Sequence, residues 1–303
     1  MRGVRNEGNG NGAAGNTAAM NGAAMNGAAM NRDDLTLAVI GGGKIGGALA
    51  EALVASGRVA LDRLTVTMRH PASLEAYRAK GIRAFPAVEN AAVAREAAVL
   101  ILAVHPDETA DALDQLRPSL REDHLLISIV TGVSTARLEG MAGLPLPVIR
   151  ANPNIAVLVS ESATVLCGGR FATEAHLALA RSLFLTAGLV EVLDERHMNA
   201  STGLGGCGPA FIFKILEAMA EGGVKMGLPR DVSQRISAQV LKGAAELVLR
   251  TGRHPASLKD EVTTPGGCTI DGIAKLQERG ISIALIDAVE TSTRKAGALW
   301  GDG

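Results

Sequence analysis

Aromatic residues are scarce in this chain of 303 residues: they make up 2% of it, with one tryptophan, one tyrosine and five phenylalanines. Proteins that bind single-stranded nucleic acid commonly stack the bases on aromatic side chains. Attraction to a nucleic acid backbone needs a surplus of positive charge, whereas the formal net charge here is -1. The composition therefore gives no reason to expect a nucleic acid as partner.

Cysteine pairs and metal-binding patterns are also missing. The three cysteines, Cys167, Cys207 and Cys268, are far apart and form no C-x-x-C pair, and the six histidines show no H-E-x-x-H spacing. This usage is typical of a reducing compartment and predicts neither a disulfide framework nor a metal site. Since no charge-free apolar run is long enough to span a bilayer, we expect a soluble cytoplasmic protein without a membrane partner.

The start of the chain has a composition of its own. The stretch "NTAAMNGAAMNGAAMN" repeats a five-residue unit of Asn, Gly, Ala and Met, with no large aliphatic run. Such a segment buries too little apolar surface to offset the entropy lost on ordering. Residues 1–33 are therefore predicted to be a disordered low-complexity tail.

The remaining sequence divides into two patterns. Over residues 34–194, short aliphatic runs such as "LTLAVI" and "AAVLILAV" alternate with helical stretches, which predicts an α/β fold with a doubly wound parallel sheet. Over residues 195–303 the strand signals stop, and apolar residues recur at helical spacing. We predict an all-helical second domain that completes its core against a second copy, so that the protein is at least a dimer.

The loop after the first strand carries a phosphate-binding pattern, Gly41-x-Gly43-x-x-Gly46, directly between a strand and a helix. In this setting Gly41 permits a tight turn, Gly43 lets a pyrophosphate approach the backbone, and Gly46 lets the helix pack on the strand. The N–H groups of the helix start then face the phosphates. The pattern predicts a Rossmann-type dinucleotide site.

The end of the second strand bears on which dinucleotide is bound. NAD enzymes usually place an acid there to bind the ribose 2′-hydroxyl, but this chain has Arg69 and His70 and no acid. An arginine suits a 2′-phosphate because it forms charge-assisted hydrogen bonds with it. NADPH is therefore the predicted cofactor, with NADH as a possibility and a solvated surface charge as the simpler interpretation of Arg69.

A second glycine-bearing loop lies late in the chain, within "KDEVTTPGGCTIDG". A Pro-Gly-Gly turn that leads into a helix can direct several backbone N–H groups at one carboxylate, and side chains at Gly266 and Gly267 would obstruct that approach. The alternative is a glycine-rich helix cap without a ligand. The pattern favours a small anionic substrate.

With both loops in view, the sequence resembles the pyrroline-5-carboxylate reductase family from about Leu37 to Leu299. The similarity is carried by "GGGKIG", "LAVHP", "NPN", "GCGPAF", "GVKMGLPR" and above all "HPASLKDEVTTPGGCTIDG". It implies a Rossmann domain followed by a helical dimerisation domain, assembled as homodimers or decamers of dimers. It also implies that NAD(P)H reduces 1-pyrroline-5-carboxylate, a cyclic imino acid, to proline in proline biosynthesis.

The resemblance also assigns site residues. It implies cofactor contacts at Gly41, Gly42, Gly43, Lys44, Ile45, Gly46, Arg69, His70, Asn90, Val104 and His105. It implies substrate contacts at Glu195, Thr264, Pro265, Gly266, Gly267, Cys268 and Thr269. We expect the Thr269 hydroxyl to bond the imine nitrogen as the residue closest to a catalytic role, whereas Glu195 is equally well interpreted as an ordinary acid at a helix start.

The chain departs from the family at several positions. Where S-G-S-G-P-A-Y is usual, residues 205–211 read G-G-C-G-P-A-F, so both serines and the tyrosine hydroxyl are absent. His105 replaces a usual lysine, and N-T-P becomes N-I-A at residues 154–156. These changes leave open a reductase of a related cyclic imine in a specialised pathway. A β-hydroxyacid-dehydrogenase-like enzyme using Lys214, and a non-catalytic NADP-binding protein, are further alternatives.

Overall fold

The computed structural model describes residues 35–299, and the tail predicted for residues 1–33 lies outside them. The described chain forms two compact units, one ending at Gly206 but including residues 296–299, the other running from Cys207 to Lys295. The first unit extends beyond the predicted limit at residue 194 because a short helical segment after the last strand is bonded to the sheet, as when Asn152 Nδ2 donates to Thr202 Oγ1 over 3.1 Å.

The first unit is built on a single sheet. Its strands are β1 (Leu37–Ile40), β2 (Leu64–Met68), β3 (Arg83–Pro86), β4 (Val99–Leu102), β5 (Leu125–Ser128), β6 (Val148–Asn152), β7 (Ser162–Gly168) and β8 (Gly188–Val192). In the part of the chain that is described, they follow the order β3-β2-β1-β4-β5-β6-β7-β8. All neighbours are parallel except β6 and β7. The predicted doubly wound sheet is confirmed, and β7 and β8 extend it.

Helices cover both faces of this sheet. They are α1 (Lys44–Ala55), α2 (Pro71–Ala79), α3 (Asn90–Glu96), α4 (Thr109–Leu116), α5 (Thr135–Ala142), α6 (Glu174–Phe184) and α7 (Met198–Ser201). Because successive strand side chains point to opposite faces, Val39 joins an apolar layer with Leu53 and Phe184. Ile40, the next residue, joins the layer that contains Leu113. The sheet is thus buried on both sides, as continuous aliphatic strands require.

The second unit is helical, as predicted. It contains α8 (Gly208–Lys225), α9 (Arg230–Thr251), α10 (Pro255–Glu261), α11 (Cys268–Glu278) and most of α12 (Ile281–Ala298). Helices α8 and α9 pack closely at Gly223, where an added Cβ would lie 2.0 Å from Ser233 Oγ. That hydroxyl donates to Ala220 O over 2.7 Å. Within residues 35–299, no helix has both the length and the apolar character that crossing a bilayer demands.

Candidate active site

The glycine loop after β1 makes a turn that only glycine adopts easily at residue 41. Gly41 has φ +104°, and a Cβ there would lie 2.5 Å from Ala103 O. The N–H groups of Gly41 and Gly42 both donate to Thr67 O, over 3.0 and 2.9 Å. The chain therefore bends sharply against β2 and β4 before α1 begins.

Gly43 and Gly46 differ in what surrounds them. A Cβ on Gly46 would lie 2.4 Å from Gly41 O and 2.7 Å from Ala103 Cβ, so the first turn of α1 needs a glycine to approach β4. Around Gly43, in contrast, a Cβ would meet no atom within 4 Å. Gly43 precedes α1 without a side-chain cap, so the first N–H groups of the helix are open to an anion.

The only tyrosine of the sequence is hydrogen-bonded to this loop, a role that sequence reasoning missed. The Tyr77 hydroxyl donates to Gly42 O over 3.0 Å. It lies 1.8 Å from where a Gly47 Cβ would be, so a side chain at residue 47 would displace it. Burial first, and then the charge of Glu51, raise the pKa of Tyr77, so this hydroxyl remains a donor.

A cavity of about 380 Å³ opens beside the loop. It lies at the carboxyl ends of β1 and β4, where the strand order reverses and doubly wound sheets bind their ligands. Of the predicted cofactor residues, those on its wall are Gly41, Gly42, Gly43, Arg69, His70, Asn90, Val104 and His105. Lys44, Ile45 and Gly46 belong to the start of α1 and are not on that wall.

Two buried oxygens on this wall fit a bound polar group. Within the described residues, Thr67 Oγ1 and Asn90 Oδ1 have no hydrogen-bond partner, although Asn90 Nδ2 donates to Gln115 Oε1 over 2.8 Å. Buried polar atoms without partners are costly and rare. Together with the open backbone at Gly43, they suit the hydroxyl and phosphate groups of a dinucleotide.

Charged side chains at the cavity form two contacts. Arg69, whose side chain is 63% exposed, forms an ion pair with Glu108. His105 bonds the carboxylate of Asp107, and this hydrogen bond is the main reason that the pKa of Asp107 is lowered. Sequence reasoning singled out Arg69 and His105 but missed Glu108, although "HPDE" begins three residues after the end of β4.

Glu195 lies at the centre of a second polar cluster in the first unit. Its carboxylate accepts hydrogen bonds from Arg150 Nη1 (2.7 Å), the Thr135 N–H (3.3 Å) and the Cys167 thiol (3.2 Å). Burial opposes ionisation of Glu195, but these three donors, Arg150 foremost, outweigh it and lower the pKa of the carboxyl. Glu195, which begins the short helical turn Glu195–His197, is thus held by three donors, and its side chain stays 33% exposed.

The family-like "NPN" segment at the end of β6 is bonded to residues that directly precede "GCGPAF". Asn152 Nδ2 donates to Ser201 Oγ over 3.0 Å, and Asn154 Nδ2 donates to Gly205 O over 3.0 Å. Residues Thr202–Gly206 form a π-helical turn, a feature often found at functional sites. Asn154 also accepts from the Ala156 N–H over 2.9 Å, so it holds its loop without the usual N-T-P.

The late glycine loop lies in the second unit and begins α11. Gly266 has φ +67°, and a Cβ on Gly267 would lie 2.4 Å from Thr264 Oγ1. Gly267 precedes α11 without a side-chain cap, which leaves the first helical N–H groups available to an anion. The loop brings Thr264, Pro265, Gly266, Gly267, Cys268 and Thr269 together at one helix start.

The other residues considered for chemistry have more ordinary surroundings. Cys167 is buried, Cys207 half-buried and Cys268 exposed, and all are free thiols. Lys214 is 78% exposed and its Nζ lies 2.6 Å from Glu217 Oε2. No group of three or more His, Cys, Asp or Glu side chains in residues 35–299 is arranged to hold a metal ion.

A doubly wound sheet, a glycine turn before α1 and a polar cavity at the strand-order reversal define a Rossmann-type dinucleotide-binding protein. Comparison with known families agrees. Residues 36–132 match the model described as NADP oxidoreductase coenzyme F420-dependent, and residues 195–299 match that described as pyrroline-5-carboxylate reductase dimerisation. The self-association expected of the second unit is in keeping with this match.

The particular family follows from similarity over most of the chain. A pyrroline-5-carboxylate reductase of Methanosarcina acetivorans is 38% identical over 261 residues, which covers 86% of this chain and 96% of that one. Two solved structures are also similar. The pyrroline carboxylate reductase of Plasmodium falciparum with NADP bound has a TM-score of 0.79 and 27% identity, covering 87% of this chain and 97% of that one. The pyrroline-5-carboxylate reductase of Coxiella burnetii has a TM-score of 0.80 and 29% identity, covering 86% of this chain and 97% of that one. The chain belongs to the pyrroline-5-carboxylate reductase family.

Proposed function

We propose that this protein reduces 1-pyrroline-5-carboxylate to proline, with NADPH as the hydride donor. The observation that carries the proposal is that Gly43 leaves an open helix start beside a cavity of about 380 Å³, in a chain 38% identical to a pyrroline-5-carboxylate reductase. The substrate-loop sequence of that family is intact here from Thr264 to Thr269.

The cofactor would be held by the first unit. Backbone N–H groups at the start of α1 would bind the diphosphate, and Arg69 would bind the 2′-phosphate through charge-assisted hydrogen bonds. When bound, the nicotinamide supplies the hydride. The Plasmodium falciparum relative is described with NADP bound, which supports NADPH over NADH.

The substrate would be held by its two polar ends. The N–H groups at the start of α11 would bind the carboxylate, and the Thr269 hydroxyl, which makes no hydrogen bond to another described residue, would bond the ring nitrogen. The resemblance also implies a substrate contact for Glu195, whose carboxyl has a lowered pKa. A protonated imine already accepts hydride well, so the protein's main task is positioning.

Assembly and location complete the proposal. The second unit matches a dimerisation family, and we assign it the interface of a homodimer, with decamers of dimers as the larger assembly implied by the resemblance. We place the protein in the cytoplasm, since free cysteines are typical of a reducing compartment.

A variant of Thr269 tests the proposal. Thr269→Val should lower kcat/KM for the imine about 10- to 100-fold because a hydrogen bond to the reacting nitrogen is lost. Thr263→Val is the matched control, since the Thr263 hydroxyl already donates to Lys259 O over 2.6 Å. The measurement is the loss of NADPH absorbance. Unchanged kinetics for Thr269→Val would contradict its role, and no turnover by wild type would contradict the function.

One observation favours a second candidate, a reductase of a related cyclic imine. The segment from Gly205 to Phe211 lacks the hydroxyls usual in the family, and such losses can alter substrate choice. A panel of five- and six-membered cyclic imino acids distinguishes the two, since a preference for the six-membered ring would favour this candidate. Lys214, exposed and paired with Glu217, gives no comparable support to a β-hydroxyacid dehydrogenase.

A further inference from the structure

The end of β2 has no acid to bind a ribose 2′-hydroxyl, yet an acid from the turn after β4 contacts Arg69 at the end of β2. Glu108 ends the short turn Pro106–Glu108 that follows β4. Its carboxylate forms the ion pair with Arg69, and both residues line the cavity beside the glycine loop. One wall therefore carries a base suited to a phosphate and an acid suited to a hydroxyl, in direct contact.

The two members of this pair differ in exposure. The Glu108 side chain is 26% exposed, whereas that of Arg69 is 63% exposed. Glu108 is anchored just before α4, whose first residue, Thr109, is fully buried. The acid is thus the more constrained partner, and Arg69 is the one free to exchange a carboxylate for another anion.

A dinucleotide with a 2′-phosphate must compete with Glu108 for Arg69. It also brings a second negative charge close to the Glu108 carboxylate, which repels it. A dinucleotide with a plain 2′-hydroxyl meets neither difficulty, because the hydroxyl can donate to Glu108 while Arg69 keeps its partner.

We propose that Glu108 is a selectivity-determining residue that weakens NADPH binding and supports NADH binding, so that both dinucleotides are usable. The inference rests on the proposed function in one respect, the placing of the cofactor's ribose beside Arg69. Other acids nearby do not share the role: Asp107 is bonded to His105, and Asp111, on the same wall, forms no ion pair within residues 35–299.

The test is the binding of NADPH and NADH to the full chain, without substrate, by titration of the nicotinamide fluorescence at low ionic strength. Glu108→Gln should lower the Kd for NADPH about 3- to 10-fold and raise that for NADH by a similar factor, the size expected for an exposed ion pair and one hydrogen bond. Asp111→Asn, which removes an equal charge from the same wall without touching Arg69, should change the ratio of the two Kd values less than about twofold.

Three outcomes would overturn the proposal. Weaker NADPH binding by Glu108→Gln would mean that Glu108 instead holds Arg69 in place for the phosphate. An equal change in the ratio of the two Kd values for Asp111→Asn would show that any negative charge on this wall has the same effect. No change in the ratio for either variant would show that Glu108 has no role in selectivity. Each of these leaves imine reduction by the wild type intact, whereas a wild type that binds neither dinucleotide would overturn the proposed function as well.

Discussion

The two compact units of this protein bury their apolar residues to very different extents. In the first, apolar layers on both faces of the sheet include side chains as large as Phe184, Leu53 and Leu113, all fully buried. In the second, from Cys207 to Lys295, only Ala220, Ser233 and Ser237 are buried within the chain. The first unit completes its own core, and the second does not.

The second unit instead exposes a large set of apolar side chains, which we call the open apolar face. Its members are Met219, Met226, Leu228, Ile236, Val240, Leu247, Leu249, Val262, Ile270, Leu276, Ile283, Leu285 and Ile286. Exposed large apolar side chains in such number, in a unit that buries so few, are typical of a protein–protein interaction surface. Since this unit matches a dimerisation family, the difference indicates a fold whose second core is completed by another copy.

Charge placed on the open apolar face should weaken association of the second unit strongly. Ile283→Glu combined with Ile286→Glu alters two α12 side chains that are 66% and 64% exposed in the single chain. Each buried isoleucine contributes about 1.5–3 kcal/mol, so association should weaken by more than about 100-fold. Light scattering after size-exclusion chromatography should show monomers.

The control is an apolar residue of the first unit that is even more exposed. Val88 is 85% exposed, and Val88→Glu should leave the mass of the assembly unchanged. If the double variant keeps the wild-type mass, the open apolar face is not the interface, and the contrast between the units needs another explanation.

Much of the first unit was predictable because its signals are local. The continuous run around Val99–Leu102 indicated a strand buried on both faces, and the Gly41–Gly46 pattern located the turn before α1. Strands β7 and β8 were harder to predict because β7 pairs antiparallel with β6. An antiparallel extension does not follow from the strand–helix alternation that predicts a parallel sheet.

The shape of the glycine turn was predictable because one loop carries it, whereas contacts between distant segments were not. The glycine loop needs only its own residues, whereas Glu195 and Arg150 are far apart in sequence and joined by the fold. The Arg69–Glu108 pair likewise depends on two different strands ending at the same edge of the sheet. An alternation pattern predicts that such edges exist, but not which side chains touch there.

Two glycine variants of the first unit should distinguish a glycine that the fold requires from one that the ligand requires. Gly41→Ala places a Cβ 2.5 Å from Ala103 O at φ +104°, so it should lower the free energy of unfolding by about 2–4 kcal/mol and abolish NADPH binding. Gly43→Ala meets no atom within 4 Å. It should keep wild-type stability and yet weaken NADPH binding about tenfold or more, because the added methyl group obstructs the phosphate.

Urea unfolding and NADPH titration together separate the two effects. Equal stability loss in both variants would show that Gly43, too, is required by the fold rather than by a ligand. Unaltered NADPH binding by Gly43→Ala would show that the diphosphate does not bind at this loop.

The smallest expected difference between the units is in the stability lost when an arginine is removed from an ion pair. Arg150 is 5% exposed and bonded to Glu195, whereas Arg250 of α9, paired with Glu246, is 78% exposed. Arg150→Met leaves a largely buried carboxylate without its main partner and should cost about 2–3 kcal/mol of unfolding free energy at pH 7. Arg250→Met, the control, should cost less than about 0.5 kcal/mol.

The pH dependence of that loss identifies its cause. Because the pKa of Glu195 is lowered from 4.5 in the folded protein, the pair stabilises the fold fully above pH 4.5, and this contribution is lost as the pH falls through the lower folded value. In Arg150→Met the half-buried carboxyl lacks its main partner, so protonation reduces the loss of unfolding free energy. The difference in unfolding free energy between wild type and Arg150→Met should therefore shrink from pH 7 towards pH 4. A constant difference would attribute the loss to packing of the arginine rather than to the charge of Glu195.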